Sequence, residues 1–328
     1  MKIYNKITEN KYFDLYFDAA KDLGIDFTYL ITDKPVGYFH RGNKKLYINK
    51  NIIGLNNAAS SLYANMKFIG SQILSRAGYP VPRGVLIKKD AKDSIILSKL
   101  KELQPPLVVK PQCGFGGTGV SVKLEDTSKV LEAVRTAENY DNQIIIEEYC
   151  PGKDYRIIVY KDKIIDVIER TPAFVAGNGS STIKMLIEAK NNIRQKVNLQ
   201  KIPFDKTLTE FLQENGLDLS SVPEKGATIL LRKNCNMNTG GETTRMDTAS
   251  IHLDNMALFT SVVSTLGLTF AGVDFITPDL NKSYKTSRSI INEVNRAPQL
   301  GANYYADLKM DNFVCKEVFK YYFELENE

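Results

Sequence analysis

The stretch that decides the fold is residues 107–124, LVVKPQCGFGGTGVSVKL. LVVKP, which opens it, has the composition of a buried strand, and SVKL, which ends it, predicts a second strand. Between them Gly114, Gly116 and Gly119 satisfy the pattern G-x-G-x-x-G. A dinucleotide-binding turn with this pattern opens a helix, on whose N-terminus the pyrophosphate lies. Because the residues after Gly119 alternate and include β-branched valines, we set the dinucleotide interpretation aside and predict a strand–loop–strand flap.

A glycine-rich flap can bind phosphate, because backbone N–H groups without a Cβ beside them approach phosphate oxygens closely. The flap residues with this potential are Gly114, Gly116, Gly117, Thr118 and Gly119. Lys110, at the end of the first strand, would add a positive charge next to the phosphates. Taken alone, a surface hairpin with a glycine-rich turn explains the segment equally well.

A candidate metal site lies near the C-terminus, where INEVN at 291–295 predicts a strand. Glu293 and Asn295 are two residues apart, so both side chains project from one face of that strand. Asp274 interrupts the otherwise apolar strand AGVDFIT. Mg²⁺ prefers oxygen ligands from one or two carboxylates together with substrate phosphates. Since a buried carboxylate is costly unless it is paired or metal-bound, we favour ligation over the alternative, a buried salt bridge.

Two further groups of polar residues accompany these segments. EEYCPGKDYR at 147–156 places two glutamates before a Pro-Gly turn and an aspartate after it. An exposed strand edge there would offer backbone groups to adenine, and Asp154 could accept from ribose hydroxyls, whereas the segment alone is better explained as an acidic patch beside a turn. Arg156, Arg170 and Arg232 all lie on predicted strands. Any one of them suits a surface ion pair, but three together suit a clamp for a transferring phosphate and an oxyanion.

Composition limits the possible classes of protein. The 328 residues are 43% hydrophobic and 25% charged, as in an ordinary globular protein with more than one subdomain. Two histidines and four scattered cysteines argue against a histidine-rich metal site, a zinc site and a disulfide framework. A net charge of +5 suits an anionic ligand and falls short of a nucleic-acid-binding surface. The sequence contains no signal peptide and no long apolar run, so we expect a cytoplasmic protein without membrane contact.

The predicted elements give an α+β protein. Helices are expected over residues 10–24, from about Asn65 to Gly78, after a cap at Thr127, and over 312–325. A strand that meets a loop at Pro151-Gly152 is expected in QIIIEEYCPG (143–152), and a hairpin over 154–173 with its turn at 161–163.

In these segments the chain resembles the ATP-grasp superfamily, most closely the ATP-grasp module of cyanophycin synthetases and their glutathione-synthetase-like relatives. The shared segments, in the family's order, include NMKFIGSQILSRAGYPVPRG, VVKPQCGFGGTGVSV, IIIEEYCPGKDYRIIV, VIERTPAFVAGNGSSTIKMLI, LRKNCNMNTGG and AGVDFI with INEVNRAP. They cover about residues 65–300. The resemblance implies an ATP-grasp fold with three parts: a reduced N-terminal α/β unit at 1–64, a small subdomain with the flap at 65–145, and a large subdomain at 146–328.

The resemblance also implies a role for each matching residue. Lys67 and Lys110 are similar to the two nucleotide lysines, and Asp154 to the ribose acceptor. The adenine-contacting hinge matches Glu147, Glu148 and Tyr149. The magnesium ligands match Asp274, Glu293 and Asn295, with Glu293 bridging two ions and Mn²⁺ as the alternative metal. Arg156 and Arg170 match phosphate or substrate arginines. The part that holds the acceptor carboxylate and the tetrahedral intermediate matches Arg232, Asn238, Thr239, Gly240 and Gly241.

The implied activity is ATP-dependent ligation of a carboxylate to an amine, with amino acids or small peptides as substrates. Two other activities stay open: a regulatory nucleotide-binding protein without turnover, and a phosphotransferase on the same fold. Arg296 and Gln299 replace a small residue and a glycine of the family, which makes Arg296 a candidate substrate contact. A chain of 328 residues has no room for the further domains of cyanophycin synthetases, so we expect no two-site polymerisation. Relatives suggest a homodimer.

Overall fold

The computed structural model describes residues 10–32, 34–114 and 116–325. The helices of this part are α1 (Lys11–Asp22), α2 (Ala58–Asn65), α3 (Lys67–Arg76), α4 (Asp93–Leu100), α5 (Thr127–Ala137), α6 (Ile183–Lys196), α7 (Lys206–Glu214), α8 (Leu253–Thr265), α9 (Gly301–Tyr304) and α10 (Phe313–Phe323). Its strands are β1 (Asp26–Tyr29), β2 (Val36–Arg41), β3 (Lys44–Asn49), β4 (Ile52–Ile53), β5 (Gly84–Lys88), β6 (Leu107–Pro111), β7 (Ser121–Leu124), β8 (Gln143–Glu148), β9 (Lys153–Tyr160), β10 (Lys163–Thr171), β11 (Phe174–Ala176), β12 (Thr228–Leu230), β13 (Glu242–Arg245), β14 (Phe270–Thr277) and β15 (Ile290–Asn295).

Two compact units make up the chain. The first contains the residues up to Ile168, Arg245–Tyr304 and those from Asp311 onward, and the second contains Glu169–Thr244 and Tyr305–Met310. The three-part division from the sequence stays a prediction. The predicted α+β class is confirmed, because helices and sheets both occur throughout the described residues.

The first unit begins with an antiparallel sheet of order β1-β2-β3-β4. Helix α1 packs on it and begins at an Asn10 cap, whose side chain accepts from the amides of Tyr12 and Phe13. The C-terminal helix α10 joins the same core, where the rings of Phe39 and Phe319 lie 4.8 Å apart and both residues are fully buried. The two ends of the chain therefore share one hydrophobic core, which no local sequence pattern indicates.

The second sheet of this unit has the order β5-β8-β6-β7. Its core is formed entirely by residues between Val85 and Ile146, including α4 and α5. Helix α5 differs slightly from the prediction, because Asp126 occupies the N-cap and Thr127 is the first helical residue. The helix predicted near Asn65 begins at Lys67, after α2 has ended.

The third sheet has the order β13-β10-β9-β14-β15. Strand β14 is buried along nearly its whole length, and α8 packs against it with the rings of Phe259 and Phe275 5.0 Å apart. This packing fixes β14 between β9 and β15. Asp274 is only 4% exposed on this strand, so its carboxylate needs partners.

The second unit is smaller. It contains the pair β11-β12 and the helices α6 and α7, around a core that includes Ile183, Ile187, Leu208 and Leu231. Within the described residues of both units, no helix is long and apolar enough to cross a membrane.

Candidate functional site

Three charged side chains form a row across β9, β14 and β15. Asp274 is the register partner of Arg156 on one side and of Glu293 on the other. Directly opposite residues of antiparallel strands project from the same face, so the three groups are neighbours. Arg156 donates through Nε and Nη2 to the two carboxylate oxygens of Asp274, the second bond at 3.0 Å. The salt bridge that the sequence left as the alternative is therefore present, and ligation by Asp274 stays a prediction.

Asn295 completes the predicted ligand set. It lies two residues beyond Glu293 on the same face of β15, opposite Gly272 on β14. Its Nδ2 is buried and has no hydrogen-bond partner among the residues that the structure describes. Rotating the amide by half a turn would place Oδ1 in that position, and an amide oxygen is a ligand for a hard cation. The residues present therefore fit Mg²⁺.

Gly272 provides the space that this arrangement needs. A Cβ there would lie 3.0 Å from Cδ of Arg156 and 3.0 Å from Cβ of Pro298. A side chain at this position would push Arg156 away from Asp274. Packing therefore explains why a glycine occupies position 272, two residues before Asp274 on β14.

The predicted nucleotide lysines lie near the same row. Burial raises the pKa of Glu293, and the charge of Asp274 adds to this, while Lys67, Lys110 and Arg156 act to lower it. Glu293 therefore interacts electrostatically with each of these four charged groups. Within the described residues no group of three or more His, Cys, Asp or Glu side chains could hold a metal ion, so the candidate set depends on two carboxylates and one amide.

Each lysine has a defined contact. Lys110 is 8% exposed and forms a salt bridge with Glu147, which is 7% exposed. Lys67 donates from Nζ to the carbonyl oxygen of Gly114 at 2.6 Å, at the start of the glycine-rich stretch. Lys67 therefore connects α3 with the predicted flap, and Glu147 contacts a predicted phosphate ligand through its side chain.

The glycine-rich stretch has the predicted strand–loop–strand form. After Gly119 the chain enters β7 and not a helix, which confirms that the dinucleotide interpretation was rightly set aside. Gly116, Gly117 and Thr118 are exposed. Gly119 has φ +71°, and a Cβ there would lie 2.6 Å from Cδ2 of Tyr140, so this position favours glycine.

The predicted adenine hinge needs one correction. Strand β8 lies between β5 and β6, so the exposed strand edge expected there is wrong. The amide of Glu148 donates to Arg83 O, and that of Tyr149 donates to Pro106 O, both at 2.9 Å. The hinge roles of Glu147, Glu148 and Tyr149 stay predictions. Asp154 is half-buried on β9, two residues before Arg156 and hence on the same face.

The remaining predicted residues are distributed over both units. Arg296, in the first unit, is half-buried, and its carbonyl accepts from Nδ2 of Asn56 at 2.8 Å. Arg170, in the second unit, is half-buried near the end of β10. Arg232, in the second unit, is 2% exposed and pairs with Asp205 at 2.8 Å, so its charge already has an anionic partner. Asp205 also caps α7.

The segment Asn238, Thr239, Gly240 and Gly241 begins within a short 3-10 helix, Met237–Thr239, and continues past its end in the second unit. Sequence reasoning missed the residue beneath it, Arg194, which is 2% exposed on α6. A usable signal existed, because Arg194 lies on the buried face of α6 together with Ile183, Ile187 and Asn191. Asn56 was missed too, and no local pattern distinguishes it from the asparagines around it.

The chain is similar to known proteins over much of its length. Residues 64–191 match the family described as RimK-like ATP-grasp domain. The chain is 37% identical over 238 residues to a cyanophycin synthetase of Trichormus variabilis, covering 69% of this chain and 25% of that protein. It is 30% identical over 303 residues to the glutathione biosynthesis bifunctional protein GshAB of Enterococcus faecalis, covering 88% of this chain and 39% of that protein.

Among solved structures, a bifunctional glutathione synthetase from Pasteurella multocida superposes with a TM-score of 0.69 at 24% identity, covering 95% of this chain and 43% of that chain. The chain thus spans less than half the length of each of these relatives. The structural likeness is evidence for the fold. The predicted resemblance is confirmed: the chain has the ATP-grasp fold, and its residues 64–191 match the RimK-like ATP-grasp domain family.

Proposed function

We propose that the chain is an ATP-dependent carboxylate–amine ligase that joins amino acids or small peptides through an acyl phosphate and releases ADP and phosphate. The observation that carries this proposal is the row of Arg156, Asp274 and Glu293 with Asn295 beside it. Lysines lie close to that row. The names of the relatives, cyanophycin synthetase and glutathione biosynthesis protein, support the substrate class.

In the first step, the substrate carboxylate attacks the γ-phosphate of ATP. Lys67 and Lys110 stabilise the charge of the transferring phosphate, and the exposed flap amides near Gly116 approach its oxygens. Asp274, Glu293 and Asn295 would hold Mg²⁺, or Mn²⁺ in its place, and the metal would neutralise phosphate charge. Asp154 accepts from ribose, and adenine lies at the hinge.

In the second step, an amine attacks the acyl phosphate. Arg156 and Arg170 are the candidates to stabilise the oxyanion and the departing phosphate. The pair with Asp205 favours an indirect role for Arg232, in place of direct contact with the oxyanion. The segment 238–241 and Arg296 contact the substrates. No nucleophilic side chain is required, because the reaction depends on positioning and charge stabilisation.

The test is a phosphate-release screen of the purified chain with ATP and Mg²⁺ over pairs of amino acids and dipeptides, followed by mass spectrometry of the products. A ligase releases phosphate only with both substrates and yields their condensation product. Glu293→Gln abolishes this release, whereas Glu132→Gln, an exposed glutamate on α5, leaves it unchanged and serves as the matched control.

The two alternatives give different results in the same screen. A regulatory nucleotide-binding protein binds ATP without amine-dependent ADP formation. A phosphotransferase gives a stable phosphorylated product that requires no amine. Either result would exclude the ligase.

A further inference from the structure

Arg194 makes an unusual set of contacts for a buried cation. Its guanidinium donates from Nε to Gln200 O at 2.7 Å, from Nη1 to Gly240 O at 3.2 Å and Gly241 O at 3.3 Å, and from Nη2 to Met237 O at 2.9 Å. Every one of these acceptors is a backbone carbonyl. Three of the four belong to the segment 236–241, hereafter the asparagine loop.

The nearby carboxylate does not pair with this cation. Glu242 acts electrostatically on Arg194, yet it makes its salt bridge with Lys190 at 2.7 Å. Burial lowers the pKa of Arg194 below its usual value, with Glu242 acting in the opposite direction. A buried charge of this kind is costly. The role of the Arg194 guanidinium must therefore lie in the geometry that it imposes on the carbonyl groups.

The asparagine loop is tightly packed, so its shape does not arise from its own sequence alone. A Cβ at Gly240 would lie 2.5 Å from Cγ1 of Ile202, and one at Gly241 would lie 2.5 Å from Cys235 O. Gly240 also has φ +102°, a conformation that favours glycine. The side of the asparagine loop that faces α6 is thus tightly packed at the loop residues Gly240 and Gly241. Asn238, in contrast, is exposed.

We propose that Arg194 is a positioning residue that holds the asparagine loop in the shape in which the loop meets a substrate of the ligation. The planar fork of guanidinium donors reaches carbonyls in several fixed directions at once, which an ammonium group cannot do. The substrate part of this inference rests on the proposed function. The structural part rests on the four carbonyl contacts alone.

The first measurement is hydrogen exchange of the full chain, followed by mass spectrometry of peptides that cover residues 234–243. Three amides of the loop are hydrogen-bonded within it: Thr239 N to Asn236 O at 3.0 Å, Gly240 N to Met237 O at 3.2 Å, and Gly241 N to Asn236 O at 2.9 Å. Arg194→Lys and Arg194→Met accelerate exchange at these amides and leave peptides of the first unit unchanged. Lys196→Met, an exposed cation on the same helix, is the matched control and changes neither.

The second measurement uses the substrate pair that gives phosphate release with wild-type protein. Arg194→Lys raises the KM of one of these two substrates by about tenfold or more, because small displacements of positioning groups are costly, and leaves the KM of ATP unchanged. Unchanged loop exchange in both variants overturns the proposal, as does an equal rise in the KM of ATP and of both substrates. If no substrate pair reacts with wild type, the ligase fails, and the exchange result still decides whether Arg194 holds the loop.

Discussion

The bidentate pair of Arg156 and Asp274 predicts that this arginine and the magnesium ion stabilise the same carboxylate. Asp274 is 4% exposed, and its Oδ2 lies 3.0 Å from Nη2 of Arg156. At an effective dielectric constant of about 20, unit charges at this distance attract by about 5 kcal/mol. Part of that attraction is offset by desolvation, and removing one partner of a buried pair costs about 3 kcal/mol. Arg156→Met should therefore lower the free energy of unfolding by about 3 kcal/mol when no metal is present.

Magnesium should recover much of that loss. A ligand at 100 times its dissociation constant stabilises the folded state by about 2.7 kcal/mol, and Arg156→Met removes the cation that competes with the ion for the Asp274 carboxylate. The assay is urea unfolding followed by circular dichroism, with EDTA or with Mg²⁺ and a non-hydrolysable ATP analogue. The stabilisation by Mg²⁺ with the analogue should be larger in the variant than in wild type.

The control for this experiment is an exposed pair. Lys233 and Glu214 lie 2.7 Å apart with side chains about half exposed, so Lys233→Met should change stability by less than about 1 kcal/mol. If Arg156→Met unfolds like wild type in EDTA, the pair has no energetic importance. If Mg²⁺ stabilises variant and wild type equally, Asp274 is not a ligand, and the metal assignment on β14 is refuted.

Three further outcomes follow from single contacts. Gly272→Ala should destabilise the chain by about 1–3 kcal/mol by crowding Arg156, and weaken Mg²⁺-dependent nucleotide binding in calorimetry. Asn56→Ala should cost about 2–3 kcal/mol in urea unfolding, because it removes hydrogen bonds to the backbone at the start of β14 and just after the end of β15. Partial burial raises the pKa of Asp205, but hydrogen bonds from a helix amide and from Arg232 outweigh this and hold it below its usual 3.8. The stability that Asp205 contributes is thus present above about pH 4 and is lost as the pH falls through the lowered pKa, so wild type and Asp205→Asn should converge in acid unfolding.

Local sequence patterns were sufficient to predict strands β14 and β15, which carry the candidate metal ligands. The two-residue spacing of Glu293 and Asn295 and the single acid in an apolar strand are both properties of short segments, and the register of β14 with β15 brings them together as expected. The glycine-rich stretch was also predictable, because the residues after Gly119 can be assigned to a strand from their own composition.

What could not be predicted depends on contacts between distant segments. Arg156 and Asp274 are 118 residues apart, so neither residue's neighbours indicate their pairing. The edge expected at β8 was wrong because β5 and β6, which both precede the glycine-rich stretch in the sequence, pair with the two sides of β8. Arg194 could have been suspected from its position on the buried face of α6, but three of its four carbonyl partners lie in a loop 43 to 47 residues later.

From the charges around β14 and β15 we infer that nucleotide and metal bind together. Three cations, Lys67, Lys110 and Arg156, face three carboxylates, Glu147, Asp274 and Glu293, among the described residues at this site. ATP alone would bring its phosphates towards carboxylates that are only partly neutralised, and Mg²⁺ alone would compete with Arg156 for Asp274. Bound as a pair, each compensates for the charge that the other disturbs, because the metal takes the carboxylates while the phosphates take the released cations. Occupancy by either one should therefore raise the affinity for the other, and by linkage the two increases must be equal.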